Sequence, residues 1–336
     1  MRRPGYFWGR TLKCKALLTA AAIILFVAAL YAVGREFETG TGQPDVRGKL
    51  KEQTQGAADI LYEGAIYEPK ELTKILLMGI DKGLAADAGG LRNGGQADFL
   101  LLLLIDHEEK KIVSLQIDRD TMAQITVLGV LGNDAGTREA QICLSHGFGD
   151  GKAQSCLLTL QAVSELLGVT IDDYIAMDLD GIRVLNDSVG GVTVTLEDDF
   201  SALDPAMAKG ATIRLNGVEA EYYVRNRMEI GIGTNEARME RQKIYLEALQ
   251  EKIREQYRDD SDFPEDLYKA LEPYLQTDIK RGRILNEVWR TRDYAYSEIV
   301  RPEGTHAIGK DGFMEFYPDE AALRKLVVDL FYRAKQ

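Results

Sequence analysis

The segment DFLLLLLID (98–106) constrains the fold more than any other: seven consecutive apolar residues with an acid at each end. A strand with one wet face alternates apolar and polar side chains, so an unbroken run must be dry on both faces. ILLMGID (75–81) has the same character, and KIVSLQID (111–118) follows after a short charged turn. Such strands need covering layers above and below. The Gly-, Ala- and Asp-rich stretch 82–97 between the first two strands reads as a loop.

The covering layers are legible as helical spacing. Residues 154–168 carry a helical pattern that stops on Gly168, a favourable C-terminal residue. Asp180 to Ser188 reads as a short helix closed by Gly190-Gly191, and VTVTL (192–196) as a strand. RLNGVEAEYYVRNR (214–227) reads as a turn and helix. Asn235 to Gln256 is a longer amphipathic helix with Met239, Tyr245, Leu246 and Leu249 turned inward. Further helices are predicted at 264–275, 281–292 and 318–333. Interleaved strands and helices make the class α/β, with connections too irregular for a regular doubly wound sheet.

Residues 16–34 contain no charge, and residues 1–15 hold five basic residues and no acid. Nineteen helical residues span roughly 28 Å, close to the hydrocarbon thickness of a bilayer. The basic flank orients the N-terminus to the cytoplasm. The expectation is a single-pass anchor with the remaining mass extracytoplasmic; a cleaved signal peptide is the alternative, with a shorter apolar region. The organisation expected is a cytoplasmic basic segment (1–15), the transmembrane anchor (16–34), a juxtamembrane stalk (35–71) with some helix after Lys49, the main domain (72–257), and a helical C-terminal continuation of that domain (258–336). Net charge is −12 for 336 residues, so the part beyond the anchor carries −17. This argues against nucleic acid as a partner, and any anionic ligand must be met by a local basic cluster.

Cys143 and Cys156 lie in the outer part, where an oxidising exterior permits a disulfide. Sequence does not give the separation that decides it, and two small buried thiols are the alternative. The three histidines (His107, His146, His306) are scattered, which disfavours a histidine-based triad.

Two acids bound apolar strands beside a Gly-rich loop: Asp81 and Asp98. Acids at strand ends face the rim where ligands bind. Two hard carboxylates suit magnesium, with water and phosphate completing its shell; solvated acids bounding strands are the plain alternative. Arginines recur at element ends: Arg119 in DRDT (118–121), Arg225 and Arg227 in YVRNR, and Arg238 four residues before Gln242, with Arg241 on a neighbouring face. Their planar forks suit bidentate capture of phosphate oxygens, although arginine runs are commonly solvated surface.

Taken together the segments resemble the LytR-CpsA-Psr family of bacterial cell-wall proteins. The resemblance runs through ILLMGID, the AD that opens the next apolar strand, DRDT, LSHGFGDG (144–151), DDYIAMDLDGIRVLNDSVGGV (172–192), LNGVEAEYYVRNR (215–227) and ARMERQKIYLEAL (237–249). Each motif is weak alone; their order and spacing over residues 72–257 are specific. The resemblance implies a central mixed β-sheet flanked by helices, with an apolar pocket for a lipid chain. It implies a phosphotransferase that joins a glycopolymer, carried on a polyprenyl pyrophosphate, to peptidoglycan. It also implies Asp81 and Asp98 as ligands of Mg2+ (or Mn2+), and Arg119, Arg225, Arg227, Arg238 and Gln242 as the pyrophosphate-binding set. Among these Arg119, Arg225 and Arg227 are the candidate catalytic residues, with Asp120 as a candidate base or as a partner to an arginine.

The chain departs from the family pattern at three places. Gln96 stands where an arginine usually precedes the second acid, and Arg92 in the longer loop is the candidate substitute. Asp118 replaces the usual proline before Arg119. Asn235 replaces the acid before the long helix, although Glu236 adjoins it. A transition-state donor is often worth about 2.7–4 kcal/mol, so Gln96 keeps a second expectation open: a non-catalytic binder of lipid-linked wall precursors or a wall-assembly scaffold. A lipid-pyrophosphate hydrolase is a third. GDGKAQS (149–155) lacks the full phosphate-loop pattern, and DLDG (178–181) lacks the later ligands of a calcium loop.

Overall fold

A computed structural model describes residues 58–81, 94–129, 133–226, 230–231 and 233–335. The apolar run 16–34 lies outside these residues, and among the described residues no helix is long and apolar enough to cross a membrane.

The strands, in chain order, are β1 (Ile60–Tyr62), β2 (Ala65–Pro69), β3 (Leu72–Asp81), β4 (Gln96–Asp106), β5 (Lys111–Ile117), β6 (Met122–Leu128), β7 (Asp134–Gln141), β8 (Asp173–Asp178), β9 (Val192–Thr195), β10 (Thr212–Leu215), β11 (Leu275–Thr277), β12 (Ala295–Val300), β13 (Gly304–Ile308), β14 (Met314–Pro318) and β15 (Tyr332–Ala334). The helices are α1 (Ala153–Leu167), α2 (Asp180–Ser188), α3 (Gly217–Arg225), α4 (Asn235–Asp259), α5 (Phe263–Leu271), α6 (Arg281–Thr291) and α7 (Glu320–Phe331).

Six strands form the central sheet in the order β11-β8-β3-β4-β5-β12. β3, β4 and β5 are an antiparallel meander, while β8 joins β3 and β12 joins β5 in parallel. The sheet is therefore mixed. The five-leucine run divides between two cores, as its lack of alternation requires. Leu101 and Leu103 face a layer built from α2, α3, α4, α5, α6 and the β9–β10 hairpin, with Leu185, Tyr223, Leu249 and Ile284 among its buried residues. Leu100, Leu102 and Leu104 face α1, β6 and α7, against Leu158, Val163, Ile125 and Phe331. All five leucines are at most 2% exposed, and each contributes roughly 1.5–3 kcal/mol by leaving water.

Local signals set the helix ends that matter for the site. Asn216 and Glu219 form a reciprocal capping box: the Asn216 side chain accepts from the Glu219 N–H at 3.1 Å, and the Glu219 carboxylate accepts from the Asn216 N–H at 2.7 Å. That satisfies donors which helix geometry leaves unpaired, and it fixes where α3 starts and hence where Arg225 ends it. Thr234 caps α4, its hydroxyl accepting from the Ala237 N–H at 3.2 Å. Gly168, at φ +66°, closes α1.

Two segments differ from the expectation. Residues 60–69, expected within a stalk, form β1 and β2, which β15 from the C-terminus completes. Residues 258–336, expected to be helical, also supply β11 and β12, the two edges of the central sheet. The predicted helix 264–275 stops at Leu271 because Pro273 imposes a 3-10 turn, after which the chain extends into β11.

Candidate functional site

The C-terminal end of β3, the start of β4 and the end of β5 converge on one rim of the sheet. Antiparallel pairing places Asp81 opposite Gln96, with Asp98 two residues further along β4. Arg119 and Asp120 follow β5. From the helical layer, α3 presents Arg225 at its last turn, and α4 presents Asn235, Arg238 and Gln242 along its first two turns. The structure thus gathers Asp81, Asp98, Arg119, Asp120, Arg225, Arg238 and Gln242. Arg92 and Arg227 lie outside the described residues.

The acids and arginines are paired with one another. The Asp98 carboxylate lies between two guanidiniums, 2.5 Å from Arg119 Nη1 and 3.4 Å from Arg238 Nη1. Arg225 Nη2 reaches both Asp81 oxygens at 3.1 Å, and its Nη1 donates to Glu221 Oε1 at 3.0 Å. Glu221 is buried and also accepts from Arg183 Nε. Burial opposes the charge on Arg225, but Asp81 and Glu221 outweigh it and the arginine pKa is raised.

Arg119 is held on several sides. Gln96 Oε1 accepts from its Nη2, Cys143 Sγ accepts from the same nitrogen at 3.0 Å, and Asp120 Oδ1 lies 3.4 Å from its Nε. Burial works against this cation too; the Asp98 and Asp120 carboxylates more than offset it, and its pKa rises. Cys143 is a free buried thiol whose pKa burial pushes up to about 12, so at neutral pH it meets Arg119 as a thiol. Cys156 is also free and buried. The disulfide that sequence left open is not formed: one thiol serves Arg119, while the other lies 3.8 Å from His146 Nε2.

Asp120 is 2% exposed and also accepts from Gln141 Nε2 at 3.2 Å, which places it as a partner of Arg119 set back from the rim. Gln242 has both ends of its amide engaged: Nε2 donates to the Val224 carbonyl at 3.2 Å, and Oε1 accepts from Gln116 Nε2 at 3.2 Å. Arg241, on its own face of α4, is 3% exposed. It donates to the carbonyls of Tyr223 and Asn226 and pairs with Asp198 at 2.8 Å. It therefore pins the end of α3.

Behind the charged rim a pocket opens between the sheet and helices α2, α3 and α4. Together with its mouth it encloses about 730 Å³. Phe99, Ile175, Ile182, Leu185, Tyr245 and Leu246 line its interior, and Asp98, Arg225, Arg238 and Gln242 stand among its lining. Gly79 lets β3 pass close to Phe99, where any β-carbon would sit 3.0 Å from the Phe99 Cβ. An apolar interior beside charged groups is complementary to an amphiphile with an anionic head.

Among the described residues no cluster of three or more His, Cys, Asp or Glu forms a ready metal cage. The donors at the rim are the carboxylates of Asp81 and Asp98. Carboxylates of this kind are donors that magnesium takes one or two at a time, beside water and phosphate oxygens; here both are ion-paired with arginines.

Sequence reasoning missed three supports of the site. Glu221 stands four residues before Arg225 on one helix face, a spacing that could have flagged it. Cys143 and His306 gave no such signal, because their contacts join distant parts of the chain.

The comparisons with known proteins agree with this architecture. The profile of the LytR_cpsA_psr family matches residues 40–325. The polyisoprenyl-teichoic acid–peptidoglycan teichoic acid transferase TagU of Halalkalibacterium halodurans is 26% identical over 240 residues, covering 70% of this chain and 71% of that protein. The corresponding transferase TagV of Bacillus subtilis is 31% identical over 186 residues, which take in 54% of this chain but only 43% of TagV. The crystal structure of B. subtilis TagV superposes with a TM-score of 0.57 at 25% identity, covering 77% of this chain and 97% of that one. With the profile matched over most of its length and the mixed sheet shared, the chain belongs to the LytR-CpsA-Psr family.

Proposed function

We propose that this protein is a membrane-anchored, extracytoplasmic phosphotransferase that moves a glycopolymer from a polyprenyl-pyrophosphate carrier to peptidoglycan. The observation that carries the reading is the pairing of an apolar pocket with a rim of arginines and two carboxylates. A polyprenyl chain matches the pocket interior, and its pyrophosphate matches Arg119, Arg225 and Arg238. The transferases named among the relatives act on polyisoprenyl-linked teichoic acid and peptidoglycan, which supports the same substrate classes here.

In this reading the three arginines neutralise non-bridging phosphate oxygens as charge builds in transfer. A hydroxyl of the acceptor sugar forms the new O–P bond, the bond to the bridging oxygen breaks, and polyprenyl phosphate leaves while the hydroxyl proton passes to the leaving phosphate or to water. Magnesium held by Asp81 and Asp98 would supply further neutralisation of the pyrophosphate. Asp120 keeps Arg119 oriented. Gln242 braces the last turn of α3 from which Arg225 projects. Anchoring through residues 16–34 would bring the pocket to its lipid substrate.

The test uses the full-length protein in detergent with a lipid-pyrophosphate-linked saccharide, a peptidoglycan acceptor and magnesium. Coupled product detected by mass spectrometry, dependent on magnesium and lost in Asp98→Ala and Arg119→Ala, is expected. Gln96 favours the second reading, because it gives Arg119 a neutral acceptor where a further cation would stand. Tight lipid binding with no product, under conditions where TagU turns over, would replace the transferase by a binder of lipid-linked precursors. Release of free saccharide phosphate to water would identify a hydrolase.

A further inference from the structure

Two of the departures from the family pattern meet in space. Asp118, standing where proline is usual, and Asn235, standing where an acid is usual, are 117 residues apart in the chain, yet Asn235 Nδ2 donates to Asp118 Oδ1 at 2.5 Å. The other end of the same amide, Asn235 Oδ1, accepts from Arg238 Nη2 at 2.5 Å. Asp118 Oδ1 also accepts from the Asp120 N–H at 2.8 Å, and Asp118 Oδ2 lies 2.9 Å from His306 Nε2 on β13. Asp118, Asn235 and Arg238 are each at most 4% exposed.

We propose that Asp118 is a positioning residue for Arg238, supplying through Asn235, from the end of β5, negative charge that orients the guanidinium. Asn235 transmits it: an amide that donates to a carboxylate is polarised and becomes a stronger acceptor toward a cation. The carboxylate has moved one residue further from the guanidinium, and the orientation of Arg238 is kept. Asp98 already pairs directly with Arg238 at 3.4 Å, and a carboxylate at position 235 would add a second direct counter-charge that neutralises more of its charge. The neutral relay leaves more of that charge for an anionic ligand. His306 completes the arrangement, because the β13–β14 hairpin brings its Nε2 to the second Asp118 oxygen.

The inference rests on the proposed function only for what Arg238 binds. It predicts an unusual dependence between two substitutions. In the wild-type background, Asn235→Asp places a second carboxylate against that of Asp118, and like charges so close cannot both ionise without cost. In an Asp118→Pro background the same substitution returns a single acid to the place where the family carries it. Affinity for geranylgeranyl pyrophosphate, measured by calorimetry on the full chain in detergent, should fall about tenfold or more for Asn235→Asp alone. It should change by less than about threefold when Asp118→Pro is already present. Asp118→Ala serves as the parallel background should the proline variant fold poorly. An equal effect of Asn235→Asp in both backgrounds overturns the proposal. So does coupling confined to Tm with unchanged ligand affinity, because a merely structural contact would show that pattern. Absence of binding by the wild-type protein would overturn the functional reading, and this inference with it; binding by the wild type without coupling overturns the inference alone.

Discussion

Arg119 shows how one residue can be over-determined and still incomplete. Asp98, Asp120, Gln96 and Cys143 all engage its guanidinium. Gln96 contributes an acceptor where a second cation would contribute charge. Gln96→Arg should therefore push two properties in opposite directions. The pyrophosphate affinity of the full-length protein should rise by about tenfold, or about 1.4 kcal/mol. The ligand-free protein should lose about 1–3 kcal/mol, because a buried donor of Arg119 loses its acceptor and two cations face each other. Calorimetry reads the first effect and thermal denaturation the second. Unchanged affinity with lowered stability would place Gln96 in the scaffold alone.

At the scale of elements, the chemistry depends on where helices stop. Arg225 is useful because α3 ends at it, and α3 is held there by Arg241 of α4, which binds the carbonyls of Tyr223 and Asn226. Arg241→Leu should cost about 3 kcal/mol in chemical denaturation, because it leaves carbonyls and Asp198 without their buried partner. It should also weaken pyrophosphate binding without touching the ligand, by loosening the end of α3; stability lost with affinity intact would show that Arg225 is placed by Glu221 and Asp81 alone. Much of this layer was legible beforehand. The leucine run demanded a sheet covered on both sides, and Asp81, Asp98, Arg119, Arg225 and Arg238 stood out because each sits where a pattern begins or ends. The grip on these residues was not legible. His306 meets Asp118 across 188 positions, and no periodicity carries such a contact. The edge strands β11 and β12 were missed because LQT and AYSEIV are too short and too mixed to declare themselves, and they are strands because an existing sheet offers them hydrogen-bonding partners.

The whole molecule has a direction. β3 leaves the small β1–β2–β15 sheet at Leu72 and delivers Asp81 to the site. Ten residues at ~3.3 Å each separate these ends by roughly 30 Å. The described chain thus begins at the base of the domain, while the pocket opens toward the opposite end of the sheet. Were residues 16–34 the anchor proposed above, this would pose a problem of reach. A lipid carrier stays in the bilayer, so under that proposal the domain would have to tip over or lie on its side to take it. Residues 35–57, 23 in number, separate the proposed anchor from the described domain, and a segment of that length spans at most about 80 Å. Removing fifteen of them would cut that span to about 28 Å, below the roughly 30 Å length of β3. Such a leash variant should keep full affinity for a short, detergent-soluble pyrophosphate and lose transfer from a carrier embedded in vesicles. Equal loss on both substrates would show that the segment supports the fold; loss on neither would show that the domain finds its lipid without swinging on its tether.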